Sequence, residues 1–121
     1  MRIVLRALIA VTSFACVVSL ASCGDITAGP DSATVGAACT ADTQCQQQCL
    51  VNDRHFPGGM CTLACAKDAD CPSGSACIAE EGGVCVVTCR SDADCAAFGR
   101  GFACDGEART TGAEAMICRV P

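Results

Sequence analysis
The pattern of apolar and polar positions divides the chain into three stretches. Residues 7–20 form an apolar run without charge, with Arg2 and Arg6 before it and the small pair Ala21 and Ser22 after it. That layout predicts a helical secretory signal peptide over residues 1–22, and the run is short for a membrane span. Residues 24–38, GDITAGPDSATVGAA, have no hydrophobic period and few large side chains, so residues 23–38 read as a flexible tether. Beyond Cys39 the apolar residues come in short bursts separated by turn formers. In ACIAEEGGVCVVTC, Glu80-Glu81-Gly82-Gly83 divides two segments rich in Ile and Val, which predicts a β-hairpin. A four-residue turn there would set Ile78 opposite Cys85 and leave Cys77 on the other face. LVND, Pro57-Gly58-Gly59 and MCTLAC repeat the theme upstream, and FAC, a Gly-rich loop and AMIC repeat it downstream.

The cysteines turn this loose pattern into a repeat. From Cys39 onward they fall into three units of four: Cys39, Cys45, Cys49 and Cys61; Cys65, Cys71, Cys77 and Cys85; Cys89, Cys95, Cys104 and Cys118. The first two cysteines of each unit are always separated by five residues, and three residues join each unit to the next. Units start 26 and 24 residues apart, a period typical of arrays of small supersecondary units. Two openings are nearly the same heptad, CAKDADC and CRSDADC; the first, CTADTQC, lacks the second Asp. The gaps before the fourth cysteine vary instead, at 11, 7 and 13 residues.

Fourteen cysteines in 121 residues indicate a disulfide scaffold, and an export signal supplies the oxidising compartment in which bridges persist. Crosslinks are needed because the chain beyond residue 22 has three aromatic residues, Phe56, Phe98 and Phe102, and units of about 25 residues rarely fold unaided. The expected fold is therefore small and disulfide-rich, with three units (39–61, 65–85, 89–118) of short β-hairpins and little regular secondary structure. If the stretch from Cys45 to Cys49 is helical, those residues stand too far apart to bridge. First-to-third and second-to-fourth pairing is then the expected arrangement within units: Cys39 with Cys49, Cys45 with Cys61, Cys65 with Cys77, Cys71 with Cys85, Cys89 with Cys104 and Cys95 with Cys118. Two other pairings per unit, and bridges between units, remain open.

Leu20-Ala21-Ser22-Cys23, at the end of the apolar run, resembles the bacterial lipobox. The resemblance implies that lipid is attached to Cys23, which becomes the first mature residue and tethers the chain to a membrane. Gly24, rather than Asp, follows the cysteine, so the common inner-membrane retention signal is missing and display at the outer membrane or cell surface is expected. Over residues 39–118 the C-x5-C-x5-C spacing of the second unit, with DADC and then Cys85 and Cys89, resembles the N-terminal cysteine-rich region of Dickkopf proteins. The long gap from Cys49 to Cys61 and the wide third unit depart from that pattern, so no partner-binding residue is carried over.

Charge and chemistry narrow the function. Loss of residues 1–22 leaves 6 basic and 13 acidic residues, a net charge of −7, which argues against nucleic acid as a partner. Asp68, Asp70, Asp92 and Asp94 are weak calcium candidates; the loops lack the Gly and the terminal Glu of a hand-type site, and Asp also fixes tight turns by accepting backbone N–H groups. Zinc is disfavoured by export and by a single histidine, His55. No nucleophile motif is present, so neither a cofactor nor catalysis is expected. The expected function is a non-enzymatic binding or structural module with partner contacts in the loops from Leu50 to Met60 and from Asp105 to Met116. A proteinase inhibitor presenting Arg54-His55, or a calcium-binding repeat protein, is the alternative.

Overall fold
The computed structural model describes residues 27–121. The signal segment and Cys23 lie outside the described residues. Six antiparallel strands pair as three hairpins in chain order: β1 (Gln48–Leu50) with β2 (Met60–Thr62), β3 (Ser75–Ile78) with β4 (Val84–Val87), and β5 (Ala103–Glu107) with β6 (Ala115–Arg119). A 3-10 turn precedes each hairpin, at Asp42–Gln44, Asp68–Asp70 and Asp92–Phe98. The domain is small and disulfide-rich, with six bridges: Cys39–Cys49, Cys45–Cys61, Cys65–Cys77, Cys71–Cys85, Cys89–Cys104 and Cys95–Cys118.

The bridging order agrees with the expectation, but the geometry behind it differs. Cys45 is extended (φ −115, ψ 160), so the stretch from Cys45 to Cys49 is not helical. Nor does Ile78 face Cys85. The register sets Ile78 opposite Val84 and Cys77 opposite Cys85, because the connection runs over five residues, 79–83, with Glu81, Gly82 and Gly83 at positive φ. In each hairpin the third and fourth cysteines are cross-strand partners: Cys49 with Cys61, Cys77 with Cys85, and Cys104 with Cys118. Both therefore present their sulfurs on one face, and each reaches a different one of the two cysteines that open the unit around the 3-10 turn. Two bridges stand side by side and clamp that segment across the hairpin.

The three residues joining units are structural too. Leu63 accepts the Cys85 N–H (3.0 Å) and Cys65 donates to Gly83 (3.1 Å), so the linker forms an isolated antiparallel bridge, Ala64 with Val84, beside β4. Cys89 donates to Met116 (3.1 Å) beside β6 in the same way. In unit one the preceding residues contact the hairpin without forming a bridge: Gly36 donates to Cys61 (2.9 Å), and Cys61 donates to Ala37 (2.8 Å). This corrects the tether reading over residues 27–38; residues 23–26 lie outside the described residues. Ala28 donates to Ser73 (2.9 Å), Val35 is fully buried, and Gln46 donates to Ala33 (2.8 Å), so residues 27–38 belong to the folded domain. Their small residues allow close approach: a Cβ on Gly36 would fall 2.1 Å from the Gly29 carbonyl oxygen.

One core draws on all three units. Phe56 and Met60 of the first, Ala76, Ile78, Val84 and Val86 of the second, and Ala115 and Ile117 of the third form a single buried cluster. A second cluster holds Val35, Cys85, Val87, Cys95 and Cys118. Strand β4 lies between the two: Val84 and Val86 face one cluster while Cys85 and Val87 face the other, which explains the uninterrupted apolar run VCVV in a strand of period two. The units are thus gathered around a shared interior. An open array, the usual arrangement for such a period, would leave each unit's apolar face short of partners. Val120 closes the arrangement by donating to His55 of unit one (2.9 Å).

Candidate functional site
The repeated heptad is a hydrogen-bonding device with two carboxylate positions. At its fourth position, Asp42, Asp68 and Asp92 each accept, through Oδ1, the backbone N–H of the third cysteine of the same unit: Cys49 (2.8 Å), Cys77 (2.8 Å) and Cys104 (2.9 Å). These bonds tie the 3-10 turn to the first strand of the hairpin, alongside the bridge made by that same cysteine. At the sixth position, Asp70 Oδ2 accepts from Ala66 and Lys67 (2.9 and 3.2 Å), and Asp94 Oδ2 accepts from Arg90 and Ser91 (2.8 and 3.3 Å). In unit one Gln44 replaces Asp, and its Oε1 accepts from Thr40 (2.6 Å). The heptad that looks broken in sequence is therefore intact in function, since an amide oxygen satisfies the same turn. The two amide bonds, with Lys67 adding its charge, hold the Asp70 carboxyl below its usual range.

Each of the calcium candidates Asp68, Asp70, Asp92 and Asp94 thus commits one carboxylate oxygen to backbone N–H groups of its own unit. The second Asp68 oxygen lies 3.3 Å from Arg109 Nε, close enough for attraction but without the alignment of a hydrogen bond. Among the described residues, the groups of three potential ligands with atoms within 4.8 Å of one another are cysteine sulfurs, as in Cys65, Cys71 and Cys85. Every sulfur in those groups belongs to a bridge and has no thiolate to offer a metal.

The loop of unit one meets the hairpin connection of unit two at an open cavity of about 600 Å³, lined by Leu50, Asn52, Asp53, Arg54, His55, Glu80 and Glu81. Asn52 (φ 61) and Glu81 (φ 50), the two non-glycine residues at positive φ among the described residues, both line it. Glu80 Oε2 is buried and makes no hydrogen bond. Burial raises the Glu80 carboxyl above its usual range, the Asp53 and Glu107 charges raise it further, and His55 opposes the rise. His55 is held in place: its Nδ1 lies 2.7 Å from the Val120 carbonyl, and its backbone N–H donates to Asp53 Oδ1 (2.8 Å). Arg54 projects into solvent, with Nε donating to His55 Nε2 (3.1 Å).

The two loops expected to carry contacts differ in freedom. Residues 51–54 are open to solvent or nearly so, whereas Phe56 is fully buried and anchors the middle of the loop. Phe56 also donates to Asp53 (3.2 Å), so Arg54 and His55 occupy the corner of a tight turn. That corner is unlike the extended backbone a proteinase cleft reads. In unit three much of the stretch from Asp105 to Met116 is strand: Gly106 faces Met116 and Glu107 faces Ala115. Arg119 crosses this hairpin to pair with Asp105 (2.7 Å) and Glu107, and its hydrogen bond, more than its charge, lowers the Asp105 carboxyl. The connection itself clasps unit two, with Ala79 donating to Ala108 (2.8 Å) and Thr110 to both Cys77 (3.2 Å) and Ala66 (2.9 Å). Sequence reading missed Glu80 and the role of Gln44; the signal for Gln44 was its place at the sixth heptad position, where the other units carry Asp.

Comparison with protein-family models, with curated proteins and with solved structures returned no match for the chain. The structure thus defines a small cysteine-rich, disulfide-bonded domain of the kind suited to an oxidising, extracytoplasmic setting.

Proposed function
We propose that the protein is an exported, lipid-anchored surface module, attached through Cys23, that binds a protein partner and performs no catalysis. The observation that carries this reading is the division of labour within the repeat. Bridges and heptad carboxylates are spent on holding the fold, while the side chains of Val51, Asn52, Arg54 and Glu81 stand exposed around an open cavity. Loops held on a rigid scaffold are where recognition usually resides. The unit-three connection, already engaged with unit two, contributes support to this face rather than contacts of its own. The aspartates serve turns, so binding is independent of calcium.

Capture of envelope proteins by the oxidised domain tests this. Binding is expected to persist in a calcium chelator, to vanish on reduction, and to weaken when Arg54 and Val51 are replaced together by Ser. Loss of capture in chelator alone would transfer the aspartates to calcium. Membrane fractionation of Cys23→Ser checks the anchor: the variant should be released and should no longer be processed at residue 22.

A further inference from the structure
Because residues 27–38 are part of the fold, the chain available as a tether is far shorter than its composition implies. Thr27 forms a parallel bridge with Ser73, and Ala28 donates to the Ser73 carbonyl (2.9 Å). Only residues 24–26 separate that point from Cys23. At 3.3–3.6 Å per extended residue, four steps reach about 14 Å at most. We infer that the lipid fixes the domain's orientation: the Thr27–Ser73 end lies against the membrane, and the cavity between the loop of unit one and the unit-two connection faces outward. This rests on the reading of Cys23 as the lipid-bearing residue.

The second half of the inference comes from β3. Ser73 precedes the strand, and Gly74 accepts from Thr88 (3.0 Å) at that end of the hairpin; Glu80 follows the strand at the other end. Only Ser75–Ile78 of this stretch is strand, and at about 3.3 Å per residue its three steps set the two ends about 10 Å apart; Ser73 and Glu80 lie beyond those two ends. Attachment and cavity therefore occupy opposite ends of the central hairpin.

The fully processed protein in vesicles of phosphatidylethanolamine and phosphatidylglycerol tests the orientation. A bio-orthogonal donor dye is placed in separate preparations at Ser73 or at Arg54, both exposed, with an acceptor in the headgroup layer. Severalfold stronger energy transfer from Ser73 is expected, and a Gly/Ser spacer of about ten residues between Ile26 and Thr27 should erase the difference. Should a labelled variant misfold, hydroxyl-radical footprinting of the unlabelled protein gives the same information: Thr27 and Pro72 are protected on vesicles, while Arg54 and His55 are not. Protein that floats with vesicles yet shows equal or reversed transfer overturns the orientation alone. Protein that does not float overturns the lipid anchor, and the orientation with it.

Discussion

Replacing Asp68 by Ala is the sharpest probe of what the heptad does. The substitution removes the acceptor for the Cys77 N–H at 2.8 Å and leaves that amide in a residue with no solvent exposure. A hydrogen bond to a charged acceptor contributes about 1.5–3 kcal/mol, but the Asp68 side chain is 47 % exposed, which favours the lower half of that range. The Arg109 contact is a partly exposed pair at 3.3 Å and adds between about 0 and 1 kcal/mol. A total near 2 kcal/mol corresponds to a fall in melting temperature of roughly 10 °C for a domain of this length. Asp68→Asn keeps an acceptor oxygen and should lose about half as much. Thermal unfolding with bridges intact, followed by far-ultraviolet circular dichroism, reads the loss; amide exchange at Cys77 locates it. The reasoning fails if Asp68→Ala stays within about 0.5 kcal/mol of the parent, the ordinary scatter for a surface substitution. It also fails if calcium raises the parent's melting temperature and not the variant's, because that shift is the linkage signature of a bound ion.

Three further outcomes follow from contacts elsewhere. Gly59→Ala and Gly83→Ala place a Cβ 1.9 Å from the Cys39 oxygen and 2.2 Å from the Cys65 oxygen, at φ +76 and +118, and each should cost more than about 3 kcal/mol. Gly58→Ala, at φ +89 with open space around it, should cost about 1–2 kcal/mol, and equal melting temperatures for Gly58→Ala and Gly59→Ala would refute the close-approach account. Glu80 has a raised folded value, so its contribution is present below the ordinary carboxyl value of 4.5 and is lost as pH rises through the folded value. Glu80→Gln should accordingly melt above the parent near neutral pH and lose that advantage in acid; an advantage confined to acid would reverse the sign and sink the assignment. Starting the chain at Cys39 instead of Thr27 removes fully buried Val35 and both backbone partners of Cys61, a loss of about 3–5 kcal/mol that denaturant unfolding would register. Unchanged stability would mean that residues 27–38 are a tether after all.

What was legible in the chain depended on range. Cysteine spacing and the Gly-rich connection at residues 80–83 report on neighbours in sequence, and from them the three hairpins were readable; the bridging order came out right although both premises used for it, a helical Cys45–Cys49 stretch and Ile78 opposite Cys85, fail. The register of β3 and β4 was not. Whether four or five residues form the turn depends on Glu81 adopting φ 50, a conformation that a non-glycine residue gives no sign of in advance. Residues 27–38 were misread for a related reason: Gly, Ala, Ser and Thr signal flexibility when nothing surrounds them, and here the same small side chains let backbone approach backbone. The binding partners of that segment, Ser73, Cys61 and Gln46, lie between 13 and 46 residues away, beyond any local pattern. The cavity was half visible, in the long loop after Leu50, while its other wall came from a different unit.

The linkers explain why three weak units make one domain. Each hairpin has two strands of its own and is flanked by the residues just before it, through an isolated antiparallel bridge at Ala64 in unit two and at Thr88 in unit three, and through hydrogen bonds of Gly36 and Ala37 with Cys61 in unit one. A two-stranded hairpin is marginal in water, and a third strand is about the minimum for stability. The linker length of three residues is thus a consequence of pairing, since the same residues must leave the fourth cysteine of one unit and lie beside the last strand of the next. Loops between the third and fourth cysteines carry no such constraint, and their lengths of 11, 7 and 13 residues vary accordingly. Their fates diverge for the same reason. The shortest forms the tip of the central hairpin, the longest reaches across to clasp unit two, and the one after Leu50, anchored at Phe56, leaves its first four residues free. Variation in loop length is therefore spent partly on closing the domain and partly on opening a surface, and only the second part is available to a partner.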